Sequence, residues 1–212
     1  VIINYFAAAI LVTPLISMAF PAIDYWRSCK NETKVGPQGE KADYNYFFYL
    51  LVIGVFGMWG TWIFGIILLF ATHDTSFIKH GSVGSAPVGL FQVIGLIIFS
   101  AGAVTYNLTI VAAGKYLRPA PAGTLDKHIL IDKGPFALIR HPLYIAYLLI
   151  NVGLSLTFLY VIPLFSAVLI VLGIYPTARA EEAVLVKQLG DKYIRYQQHV
   201  GMFFPRSISK SK

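Results

Sequence analysis

Two short stretches hold most of the side chains able to do chemistry. Arg140-His141-Pro142-Leu143-Tyr144 offers a guanidinium, an imidazole and a phenol within five residues. Arg179-Ala180-Glu181-Glu182 adds a second guanidinium and paired carboxylates. Arg140 or Arg179 could pair a substrate carboxylate, and His141 and Tyr144 could take a proton from a thiol or amine. His141 taken alone is equally an interfacial cap. The two glutamates could cap a helix start, where negative charge is favourable, or hold a cationic ligand. Pro142 suits the first turn of a helix, where its missing N–H costs nothing. That helix start would offer donors and a positive dipole end to an anion. The lone cysteine, Cys29, excludes an intrachain disulfide and zinc–thiolate chemistry, and no metal site is expected.

The elements that must position these groups read as membrane spans. The chain has 212 residues, 57% of them apolar and only 13% charged, about half the charged share of a soluble domain. Val1–Ile23, Tyr46–Ala71 and Pro87–Ala113 are apolar runs long enough to cross a bilayer. Leu143–Ala178 is uncharged and long enough for two short spans, with a turn near Pro163. The expected fold is therefore an all-α integral membrane protein of about five transmembrane helices. The last two would form a helical hairpin that brings Arg140–Tyr144 and Arg179–Glu182 to one depth. Continuous rather than alternating runs exclude porin-like strands. A signal peptide is a poor reading of Val1–Ile23, which is too long and lacks a basic leader. The chain does not begin with Met, so its N-terminus is expected to be trimmed. Residues 1–113 are read as three N-terminal spans, and 114–212 as a region carrying the site.

Three segments, 24–45, 114–142 and the tail after Ala178, hold 16 of the 17 basic residues; Lys79 is the exception. With five spans all three lie on one side, which the positive-inside rule makes cytoplasmic, with the N-terminus outside. Basic residues facing anionic lipid account for the net charge of +7 without a nucleic-acid partner. The spans hold no ionisable residue, which argues against a proton or ion pathway. Gly54, Gly57, Gly60, Gly95 and Gly102 are expected to serve close helix packing. His128–Ile131 reads as an extended stretch folded against the membrane face, and Gly134-Pro135 as a turn. After the last span Ala183, Leu185, Val186, Leu189, Tyr193 and Tyr196 recur near helical spacing, predicting an amphipathic surface helix.

The ordered set Gly-Pro-aromatic (Gly134-Pro135-Phe136), Arg-His-Pro-x-Tyr (Arg140–Tyr144), hairpin, Glu181-Glu182, Leu-Gly-x-x-Tyr-x-x-Tyr (Leu189–Tyr196) and closing Pro205 resembles the isoprenylcysteine carboxyl methyltransferase family and related membrane methyltransferases. The resemblance runs over Lys115–Pro205. It implies S-adenosylmethionine as cofactor, held by this C-terminal region rather than by a Rossmann domain. It also implies a cofactor pocket lined by Leu117, His128, Ile129, Leu130, Ile131, Phe136, His141, Pro142, Leu143, Tyr144, Glu181 and Glu182. Phe136 stands where the family has tyrosine. Arg140, Tyr144 and Arg179 are the candidate catalytic residues. Many members carry an arginine one turn before the cofactor-binding glutamate; here that place holds Thr177, and Arg179 lies two residues before Glu181. The expected acceptor is a lipophilic small molecule or lipidated cysteine, in contact with membrane lipids. Alternatives are a sterol-reductase-like enzyme using a nicotinamide phosphate, with Arg118, Lys127 and Lys133 as the phosphate's partners, or a scaffold or neutral-solute transporter. Oligomeric state is not legible.

Overall fold

The structure, a computed structural model, describes residues 46–72, 88–114, 129–158 and 163–206. The first expected span, Cys29, Lys79, Leu117, Arg118, Lys127 and His128 lie outside the described residues. The elements in order are α1 (Tyr46–Thr72), α2 (Val88–Ala113), a 3₁₀ turn (Gly134–Ala137), α3 (Pro142–Phe158), α4 (Pro163–Leu189) and α5 (Asp191–His199). α1, α2 and α4 are long and apolar enough to cross a membrane; α3 is a shorter apolar helix. Among the described residues there is no strand, only an isolated parallel bridge between Ile139 and Gly201. α1 turns Ile53, Phe56, Ile63, Phe64 and Ile67 outward, as a lipid-facing helix does.

The described helices pack chiefly as two pairs, α2 on α3 and α1 on α4, with sparser contact between α3 and α4. Small residues set both seams. A Cβ on Gly153 would sit 2.6 Å from the Phe99 Cα, and one on Gly102 would sit 2.8 Å from the Ile150 backbone nitrogen. On the other seam, Gly173 faces the Leu51 backbone and Gly54 faces Ile170. Backbones that close can meet only where side chains vanish. Gly95 is equally crowded, but among the described residues Gly57 has only an ordinary contact and Gly60 has no neighbour within 4 Å. Close packing therefore explains Gly54, Gly95 and Gly102 and gives Gly60 no partner among the described residues. Polar residues within α2 bond to their own helix: Thr105 to the Ala101 carbonyl, Asn107 to Ala103 and Thr109 to Thr105.

Contacts across the α3–α4 seam are polar at both ends. At one end Asn151 Nδ2 donates to Ser166 Oγ at 2.8 Å and to the Pro163 carbonyl at 3.2 Å. At the other end lie Arg140–Tyr144 and the two glutamates. Two features differ from expectation. Pro163 begins α4 rather than forming a turn, as a residue without an N–H readily does. α4 does not stop at Ala178; it runs on through Arg179 and both glutamates to Leu189. Nothing between Ala178 and Leu189 interrupts a helix, whereas Gly190, at φ +55°, takes a backbone conformation that a side chain would disfavour. The expected amphipathic helix is thus the last turns of α4 plus the short α5.

Candidate functional site

The site lies where α3 begins, α4 leaves its apolar stretch and the tail after α5 returns. The 3₁₀ turn delivers the chain to α3: Gly134 takes φ +56° and lies close beneath Ala112 of α2. Ile139 then pairs with Gly201, the Arg140 N–H donates to the Gly201 carbonyl at 2.9 Å, and the His141 N–H donates to Met202 at 3.1 Å. The strand-like register of 139–141 against 201–202 fixes where both side chains point. Tyr196 reinforces it by donating its hydroxyl to the Phe136 carbonyl at 2.6 Å. Burial pushes the Tyr193 and Tyr196 phenols well above their ordinary range, with Glu182 adding to the rise in each, so both stay uncharged donors.

Glu182 is the hub, 3% exposed. It accepts from Arg140 Nε at 2.7 Å, Arg140 Nη2 at 3.3 Å and Gln197 Nε2 at 2.8 Å, and its Oε1 lies 3.1 Å from His141 Nε2. Arg140 spends its remaining reach on the tail, donating through Nη1 to the carbonyls of Gln197 and Val200. Arg206 adds donations to Gln197 at 2.9 Å and Gln198 at 2.8 Å. Two guanidiniums thereby meet the carbonyl end of α5, the negative end of its dipole. Arg140 is therefore engaged in holding the tail, and Glu182 in holding Arg140.

Glu181 is placed differently. Its Oε1 accepts from the Tyr144 hydroxyl at 2.7 Å, its Oε2 lies 3.6 Å from His141 Nδ1, and 26% of its side chain stays open. The His141 ring stacks on Tyr144, centroids 5.6 Å apart and 8° from parallel, and Phe203 tilts against it at 5.9 Å. His141 thus stands between the carboxylates, bonded to the closed one and facing the open one.

The other expected residues fall as follows. Pro142 is buried and opens α3; Leu143 packs against the core. Phe136 is half-buried in the 3₁₀ turn; Ile129, Leu130 and Ile131 lie in irregular backbone, with Ile129 the most open of the three. Arg179 is exposed, and no hydrogen bond or ion pair ties it to the described residues. Two positions before Glu181, it projects about 200° around the helix from it. Thr177, one turn inward from Glu181, is 1% exposed with its hydroxyl unpartnered among the described residues. No group of three or more potential metal ligands occurs among them. Sequence reasoning missed Gln197, Phe203 and the carbonyls of Val200, Gly201 and Met202. Backbone acceptors leave no residue-type signal, and a glutamine on a polar helix reads as surface.

Residues 93–187 match the model of the isoprenylcysteine carboxyl methyltransferase (ICMT) family. This region, a little under half of the chain, is similar to that family. The match begins inside α2, upstream of the boundary expected at residue 113, and takes in α3 and nearly all of α4. It thus holds the Arg140–Tyr144 and Glu181–Glu182 groups together with the helix that packs most closely on α3. The family is one of membrane methyltransferases, in keeping with the three long apolar helices. Among curated proteins the chain finds no significant relative.

Proposed function

We propose that the chain is an integral membrane methyltransferase that uses S-adenosylmethionine and methylates a lipophilic acceptor at the membrane edge. The observation that carries this reading is the asymmetry of the glutamate pair inside the ICMT-family region. Glu182 is closed and fully engaged, whereas Glu181 is held in place by Tyr144 and still open. A fixed carboxylate with 26% of its side chain open fits the cationic groups of the cofactor, which carries a sulfonium and an ammonium, and a cation there would favour the ionised form that burial disfavours. When bound, that cofactor supplies an activated methyl carbon.

The chain's own residues then have separable tasks. Glu181 binds and orients the cation. Tyr144 sets the rotamer of Glu181 by its 2.7 Å hydrogen bond. Tyr144 and Phe203 flank the His141 ring and keep water from it. Arg140 and Glu182 lock the tail that forms this wall. The His141 N–H is taken by Met202, so an anionic end of the ligand would meet the first turn of α3 at Leu143 instead. Leu117, His128, Ile129, Leu130, Ile131 and Phe136 complete the cofactor pocket in this proposal. Alignment of acceptor and methyl carbon supplies most of the acceleration. The clustering of basic residues supports a cytoplasmic site with the N-terminus outside. An acceptor dissolved in lipid would arrive from the bilayer.

Titration calorimetry of the detergent-purified chain with S-adenosylhomocysteine tests this. Saturable binding, weakened at least about tenfold in Glu181→Gln, is expected from loss of one charge-assisted contact. No binding by a folded chain, or binding of a nicotinamide phosphate in its place, contradicts it.

A further inference from the structure

We propose that the segments closing the site also anchor it in the bilayer: Leu138 and Phe204 enter the boundary between headgroups and acyl chains on that side of the membrane. This holds whatever reaction the site performs. α5 does not supply the contact. A surface helix of that kind turns its apolar residues to lipid, whereas Tyr193 and Tyr196 are buried and face the protein. The side of α5 left open carries Asp191, Lys192, Arg195, Gln198 and His199, with Ile194 its one large apolar side chain. Large apolar side chains stand open instead on the two segments joined by the Ile139–Gly201 bridge. Phe204 is 79% exposed and Leu138 62%. Each sits beside a residue turned inward: Ile139 is buried, and Phe203 packs on the core and the His141 ring. Gly201 lets the Phe204 carbonyl fold back onto it, where a side chain would collide, and so keeps Phe204 near the bridge.

The depth of these segments favours lipid over water. The 3₁₀ turn just before Leu138 packs at the end of α2, where a Cβ on Gly134 would lie 3.2 Å from the Ala112 side chain. The exposed stripe Val104, Leu108 and Val111 runs along α2 to that same level, so the lipid-facing surface of the helix continues to the turn. Phe203 reaches the helical core from the tail, which puts its neighbour Phe204 at the bilayer edge as well. Lys133 and Arg206 are exposed on the same two segments. The Arg206 guanidinium is held by the Gln197 and Gln198 carbonyls rather than by a carboxylate. Apolar side chains flanked by cations suit an anionic leaflet, where the rings enter the acyl boundary and the cations meet phosphates. The bilayer then helps to hold the 200–204 stretch against Arg140 and His141, whose N–H groups donate to Gly201 and Met202.

Spin labelling tests this in the full chain. Labels are placed through Leu138→Cys, Phe204→Cys and, as a water-facing control, Lys192→Cys, each with Cys29→Ser, and the protein is reconstituted in vesicles of phosphatidylcholine and phosphatidylglycerol. Oxygen is expected to relax the labels at 138 and 204 more strongly than a water-soluble nickel chelate does, with the reverse at 192. Relaxation dominated by nickel at 138 or 204 overturns the proposal. So does poor access of both agents, which would put a protein surface there in place of lipid. Phe204→Asp, a change outside the core, should make the Arg140 and His141 amides exchange severalfold faster in the same vesicles. Unchanged exchange would overturn the part assigned to the bilayer in holding the wall of the site.

Discussion

Glu182→Ala should loosen the tail while leaving the apolar helix pairs intact. Three N–H donors and the His141 ring converge on this carboxylate, and the Arg140 and Glu182 side chains keep only 9% and 4% of their surface open. Removing one partner of a buried ion pair strands the other charge and costs about 3–5 kcal/mol. Glu182 lies in none of the glycine-lined seams, so the cost should fall on what Arg140 holds, namely the end of α5 and the 200–203 stretch. Local opening of that unit should become easier by about a hundredfold to a few thousandfold, at ~1.4 kcal/mol per factor of ten. Hydrogen exchange by mass spectrometry on the detergent-solubilised chain reads this directly. The amides of Arg140, His141 and Val200, which donate to Gly201, Met202 and Tyr196, should lose protection on that scale. The amides of α2 around Phe99 should keep theirs. Unchanged protection at Arg140 and His141, with ligand binding lost, would show that Glu182 serves a ligand rather than the tail and would refute the hub assignment.

Tyr144→Phe removes the hydroxyl that fixes Glu181 but keeps the ring stacked on His141; S-adenosylhomocysteine should bind about two- to tenfold more weakly by calorimetry, with thermal stability little changed. Gly153→Ala drives a methyl into the Phe99 backbone, and overpacking of this kind should destabilise by about 1–3 kcal/mol or more, seen as a lower midpoint in a thermal scan; an unshifted midpoint would mean the α2–α3 seam is looser than described. Asn151→Leu deletes the polar contacts at the far end of the α3–α4 seam; at about 0.6 kcal/mol for a typical interhelical hydrogen bond in a membrane, the midpoint should fall only slightly and ligand binding should persist.

The apolar helices were legible because lipid demands length and hydropathy, both written in composition. Tyr46–Ala71 and Pro87–Ala113 as read differ from α1 and α2 by one residue at an end. Pro142 as a helix start and Gly134 as a turn were legible because each residue type has a narrow backbone preference. The course of α4 past Ala178 was not, since a run of charge after an apolar stretch looks like an exit from the membrane although the backbone has no reason to break before Gly190. The pairing of helices was not legible either. Gly153 and Gly173 seat the α2–α3 and α1–α4 seams, and a glycine in an apolar run does not announce which neighbour it admits. In the candidate site, the types of His141, Tyr144 and Glu181 marked them for chemistry. The division of labour between Glu181 and Glu182 depends on which one the helix turns toward Arg140 and the returning tail, a contact across 42 residues of sequence.

A structure of the chain bound to S-adenosylhomocysteine tests the central claim most directly. Ligand density is expected against Glu181, with the amino group or sulfur beside its open oxygen and Glu182 still bonded to Arg140. Density elsewhere, or a ligand held by Glu182 with Arg140 released, would contradict the assignment of Glu181 as the cofactor's partner.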